Sequence, residues 1–144
     1  LKLHARAMVV SAVAIPLLVL AVAAIGWLAG LDSQITIWAL ATLLCYAIVA
    51  FMARRVERTE AAELDPTQTR RDFLIGHFLC GLGWAWFAWI GCDTCQVDQF
   101  YVAKAMVLLI AMATTAVLAS SLGGALLATF AIPVAVYAYT IVRQ

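Results

Sequence analysis

The stretch that decides the fold is Ala105–Val142, AMVLLIAMATTAVLASSLGGALLATFAIPVAVYAYTIV, which runs for 38 residues without a charged side chain. A bilayer core about 30 Å thick is crossed by roughly 20 residues of helix rising about 1.5 Å each. The run is too long for one crossing and long enough for two. Ser120, Ser121, Gly123 and Gly124 stand near its middle. Small, turn-prone residues there predict a tight hairpin of two helices.

Outward from this hairpin, the charge-free runs are Ala7–Leu31, Ser33–Ala53, Phe73–Cys92 and the short Gln99–Ala103. Each of the first three is long enough for one crossing. The expectation is an all-α polytopic transmembrane bundle of about five helices, forming a single domain over residues 1–144. Its spans fall near 8–30, 34–53, 72–92, 102–120 and 123–142, with loops at 54–71 and 93–101. Pro16 and Pro133 lie inside the first and last spans and are expected to kink them.

Composition agrees with a membrane chain. Hydrophobic residues make up 66% and charged residues 12%, and mean hydropathy is +1.01. A soluble domain carries about 45–50% apolar and about 25% charged residues. A soluble enzyme, a disordered tail, a collagen and a disulfide-dense secreted miniprotein are therefore excluded. Net charge is only +1, so no polybasic surplus points to nucleic acid as a partner. Lys2 and Arg6 resemble the charged start of a signal peptide, but the apolar run after them exceeds the roughly 7–15 residues of such a peptide's core. The first span is read as a retained helix.

The basic residues set the orientation. A cytoplasmic N-terminus leaves Lys2, Arg6, Arg54, Arg55, Arg58, Arg70 and Arg71 inside, and only Lys104 and Arg143 outside, which is seven of nine on one face. Asp32, Asp93 and Asp98 then fall on the opposite face, in the periplasm or exterior. Arg54, Arg55, Arg58, Arg70 and Arg71 read as a cytoplasmic collar that binds lipid headgroups. The second helix is expected to continue into the loop through Glu57, Glu60 and Glu63. Asp65-Pro66-Thr67-Gln68 is then a helix start, with an Asp cap, Pro at the first helical position and Gln three residues after the cap.

The third span is the least generic. Gly76, Gly81, Gly83 and Gly91 interleave with Trp84, Trp86 and Trp89, and Cys80 follows Gly76 by four. Small residues at that spacing let helix backbones approach each other, which predicts a central helix. Trp86 and Trp89 suit an interfacial belt, whereas Trp84 lies deeper and is a candidate to line a pocket. His77 has two readings: an intramembrane functional group, or a shallow side chain that reaches headgroups or a loop carbonyl. His77, Gly81 and Trp84 together form the candidate pocket or packing core. A haem held by two histidines is not expected, because His4 precedes the first span and no third histidine exists.

Cys45 and Cys80 fall mid-span and read as small packing residues. Cys92-Asp93-Thr94-Cys95 lies at the external end and has three readings: a local disulfide, a redox-active pair or a metal site. Gln96 in place of histidine excludes c-type haem attachment. Zinc requires about four ligands, and only Asp93 and Asp98 stand nearby. A membrane thiol oxidase would need a second external cysteine pair. The sequence holds no Gly-rich phosphate loop, no H-E-x-x-H, no nucleophile elbow and no series of intramembrane carboxylates. These features predict a non-catalytic chain without a cofactor, whose partners are lipid and either a second copy or other membrane helices.

Four segments carry a resemblance: Leu3-His4-Ala5-Arg6-Ala7-Met8, Ala53-Arg54-Arg55-Val56, Arg70-Arg71-Asp72-Phe73 with Gly81 and Trp84 following, and Ala116–Ser121 before a Pro-bearing last helix. Together they are similar to the N-terminal membrane region of proteobacterial sensor histidine kinases, related forms of which precede diguanylate cyclase modules. The resemblance implies a multi-span sensory and anchoring domain ahead of cytoplasmic modules, in a family that commonly has six spans. It implies no ligand-binding residue. It further leads to the expectation that the native chain continues past Gln144 with another span. The alternatives are a small accessory subunit of a respiratory or photosynthetic complex, and a thiol-disulfide enzyme using Cys92 and Cys95.

Overall fold

The computed structural model describes residues 2–10, 13–92 and 95–143, without the side chains of Val10, Asp32, Ala61 and Val97. The described chain is all-helical. Its six α-helices are α1 (Lys2–Val10), α2 (Ala14–Leu28), α3 (Asp32–Arg58), α4 (Pro66–Trp89), α5 (Val97–Leu118) and α6 (Ala125–Val142), with a short 3-10 turn at Ala61–Glu63. Three of these helices, α3, α5 and α6, are long and apolar enough to cross a membrane, and α1 with α2 as a bent pair makes up to four. Helix α4 is not among them. Asp72, His77, its glycines and its three tryptophans dilute its apolar content.

Large apolar side chains such as Leu44, Phe51, Leu109 and Leu127 are well exposed on the outer faces. An apolar exterior of this extent suits lipid rather than water.

The local signals explain where helices start and stop. Asp65 accepts from the backbone N–H groups of Thr67 at 2.9 Å and Gln68 at 3.2 Å, and Pro66 opens α4. Gly124, at φ 92°, turns the chain between α5 and α6, a left-handed conformation that glycine adopts without steric cost. The 38-residue charge-free run is thereby divided into two helices. Helix α5 begins at Val97 rather than near 102, so most of the expected 93–101 loop is helical. Asp98 in its first turn is favourably placed against the helix dipole. Helix α3 runs on through Arg54 and Arg55 to Arg58 but stops at Thr59. Glu60 and Glu63 therefore lie beyond it, contrary to the expected extension.

The expected first span, 8–30, is described as α1 and α2, which together form a bent pair, and residues 11 and 12 between them lie outside the described residues. Pro16 falls in the first turn of α2, where its missing N–H would have had no helical partner.

Helix α4 packs against both α3 and α6, and its glycines divide the work. A Cβ on Gly76 or Gly83 would meet α3, at 2.8 Å from Val49 Cγ2 and 2.7 Å from Thr42 Oγ1 respectively, whereas one on Gly81 would strike the Thr129 carbonyl of α6. Two ends of the bundle follow from its ties. At one end Arg70 donates to the Gly123 carbonyl at 3.4 Å and His4 meets Phe73 edge-on at 5.0 Å. At the other, Lys104 donates to the Ile90 carbonyl at 3.0 Å, and the Tyr137 hydroxyl donates to the Tyr101 carbonyl at 2.9 Å.

Candidate functional site

The polar interior is built on α4. His77 is 2% exposed, and its two ring nitrogens reach different helices. The Thr129 hydroxyl donates to the Ala125 carbonyl at 2.8 Å, which leaves its oxygen to accept from His77 Nδ1 at 3.3 Å. With both rings neutral, His77 Nε2 then carries a lone pair and accepts from His4 Nε2 at 3.3 Å. His4 Nδ1 ends this chain as a buried acceptor without a hydrogen-bond partner among the described residues.

This arrangement corrects two expectations. His4 does not lie outside the bundle: it is fully buried, because α1 turns His4, Ala5 and Met8 inward while Lys2 and Arg6 stay exposed. His77 does not reach toward headgroups, since both of its ring nitrogens are engaged inside. The argument against a two-histidine haem from the remoteness of His4 fails accordingly.

Beyond this network lies an aromatic core. Trp84, fully buried, is 5.7 Å from Trp38 and 6.1 Å from Phe87 between ring centroids. Its indole N–H donates to the Tyr46 hydroxyl at 2.8 Å. The Trp38 indole donates to the Gly83 carbonyl at 2.8 Å. Both bonds cross from α3 to α4 in surroundings where an unmet N–H is costly. Trp84 is thus a packing residue with a satisfied polar tip. Trp86 and Trp89 are exposed, as a belt position requires. Gly81 and His77 share the α6-facing side of α4 through Thr129, so those two candidates do converge.

The five arginines, Arg54, Arg55, Arg58, Arg70 and Arg71, are all exposed. Arg71 pairs with Asp72 at 3.7 Å, an exposed contact of little energetic weight. Cys92 and Cys95 form a disulfide with 5.5 Å between their Cα atoms, while Cys80 and Cys45 are free, the first buried and the second half-buried. Asp93, a weighed metal ligand, lies outside the described residues. Among those residues no three His, Cys, Asp or Glu side chains gather as a metal site.

One group that the sequence treated only as an orientation marker is Lys104. It is 2% exposed, and its ammonium lies 5.2 Å from the Phe100 ring centroid and 4.9 Å from that of Tyr101. It also lines a cavity of about 320 Å³ between α2, α3, α4 and α5. The signal in the sequence was a lone charge within apolar residues, with Phe100 and Tyr101 four and three positions before it on the same helical face. No family model matches the chain, and neither a curated protein nor a solved structure is significantly similar to it.

Proposed function

We propose that the chain is a non-catalytic, membrane-embedded sensory or anchoring domain of a bacterial signal-transduction protein, similar in role to the membrane region of a histidine kinase. It sits in the inner membrane with its N-terminus in the cytoplasm and makes about five crossings, with α4 and the α1–α2 pair each counting as one. Lipid and either a second copy or other membrane helices are its immediate partners. The observation that carries this reading is the charge asymmetry between the two ends of the bundle. The bond from Arg70 to Gly123 and the contact of His4 with Phe73 gather α1, the start of α4 and the α5–α6 turn at one end. Seven of the nine basic residues belong to these segments and to the end of α3 that leads into α4. Such a surplus of Lys and Arg next to membrane helices marks the cytoplasmic side.

The buried bonds that link α1, α4 and α6 near that same end are where a movement of one helix would reach the others in such a sensory role. Mass spectrometry of the intact native protein tests the proposal. A mass well above the 15.5 kDa of these residues, with a further crossing and then a cytoplasmic output module in the added sequence, is the expected result. A mass near that value would instead favour an accessory subunit that acts through its helices alone.

A further inference from the structure

We propose that the cavity between α2, α3, α4 and α5 binds an amphiphile with an apolar body and a single anionic group, carboxylate or phosphate, whose charge rests on Lys104. This site lies at the end opposite Arg54, Arg55, Arg58, Arg70 and Arg71 and is independent of whether the chain serves a signalling module.

The argument starts from the cost of the lysine. An ammonium buried in a bundle needs compensation, because the interior screens charge poorly. Among the described side chains the compensation is partial. One of its three N–H groups goes to the Ile90 carbonyl at 3.0 Å, which caps the end of α4. The faces of Phe100 and Tyr101 add cation–π attraction. Neither supplies a negative charge. The one ion pair among the described side chains is Arg71–Asp72, far away at the opposite end. Asp98, the acid in the first turn of the same helix, is exposed, and Asp93 and the side chain of Asp32 lie outside what the structure describes.

The cavity supplies the remaining features. Its volume of about 320 Å³ falls within the range of about 300–1,000 Å³ that holds small ligands. Val22, Ile25, Ile35, Phe87 and Val107 give it apolar walls, while Gln96 and Gln99 stand with Lys104 as its polar groups. An apolar body inside these walls would leave one polar group beside the ammonium. An anion there completes the charge balance, a neutral group does so only in part, and a cation is repelled. This preference is what separates a lysine-centred site from a gap that lipid chains merely fill.

Two sources offer this chemistry: an anionic phospholipid from the bilayer and a free fatty acid. Purified protein in a neutral detergent is titrated with spin-labelled dodecanoate, using dodecanol and a dodecyl ammonium as competitors. Saturable binding is expected, with the carboxylate preferred over the alcohol by roughly tenfold or more, the scale of a charge-assisted hydrogen bond. Lys104→Met should abolish that preference. Because it also removes the cap on α4, Ala103→Trp serves as a second variant: Ala103 is exposed and lines the cavity, so a large ring there fills the space and leaves the Lys104–Ile90 bond in place. It should block binding in a protein that melts normally. Native mass spectrometry after extraction from membranes containing phosphatidylglycerol identifies the source. Either retained phosphatidylglycerol or retained fatty acid, lost in both variants, supports the site. Equal binding of alcohol and carboxylate, or carboxylate binding unchanged by Ala103→Trp, would overturn it.

Discussion

The carbonyl oxygen of Thr129 on α6 occupies the space where a Cβ on Gly81 of α4 would sit. The obstacle is backbone, which cannot swing aside as a side chain does. Gly81→Ala should therefore destabilise the bundle by at least about 2 kcal/mol, at the upper side of ordinary overpacking, and Gly81→Leu by more. Ala47→Leu, on an exposed face of α3, should change stability by less than about 0.5 kcal/mol. Thermal melting in detergent compares them, and equal tolerance would remove α4 from the centre of the packing.

The His4–His77 pair makes a second prediction. Replacing His77 with Phe strands the Nε2 proton of His4 and the Thr129 oxygen, at a cost of about 1–3 kcal/mol for buried polar groups left unmet. His4→Phe strands fewer groups, because its Nδ1 already lacks a partner. The double variant should cost less than the two single changes together, by about 1 kcal/mol of coupling. Strict additivity in a melting cycle would mean that the two rings do not interact.

Topology gives a third. The bond from Arg70 to Gly123 puts the α5–α6 turn at the same end as the arginine-rich segment. Thr59→Cys and Ser121→Cys should both resist a membrane-impermeant maleimide in intact cells and react after lysis. Gln99→Cys should react in intact cells. Of the native cysteines, Cys80 is buried and Cys92 is bonded to Cys95, and the free, half-buried Cys45 is replaced by Ser in the labelling background. Labelling of position 121 but not 59 would break the shared end.

The disulfide gives a fourth. The loop it closes is very short, with a sequence separation of 3, so the chain-entropy contribution is at most about 2 kcal/mol. Replacing both Cys92 and Cys95 with Ser should lower the melting temperature modestly and leave helix content by circular dichroism unchanged. If Cys95→Ser instead traps a mixed disulfide with another protein in cells, the pair is redox-active rather than structural.

What the sequence determined by itself is local or compositional. The helical class, the membrane character, the Asp65 cap and the division of Ala105–Val142 at its serines and glycines all depend on residues within a turn or two of one another. Their physics is short-ranged: backbone bonding inside a helix, φ preferences, and transfer from water. What only the tertiary structure decided are contacts across long separations. His4 meets His77 across 73 positions, a pairing hidden because Lys2 and Arg6 made the N-terminal segment read as wet, although one face of α1 turns inward. The same holds for Trp84 and Tyr46, 38 positions apart, and for the cavity beside Lys104, whose walls come from four helices. Inside a bilayer, lipid and protein are equally apolar, so hydrophobic pattern no longer marks the buried face of a helix. Close packing at glycines and the pairing of polar groups decide that face, and both depend on which helices come together.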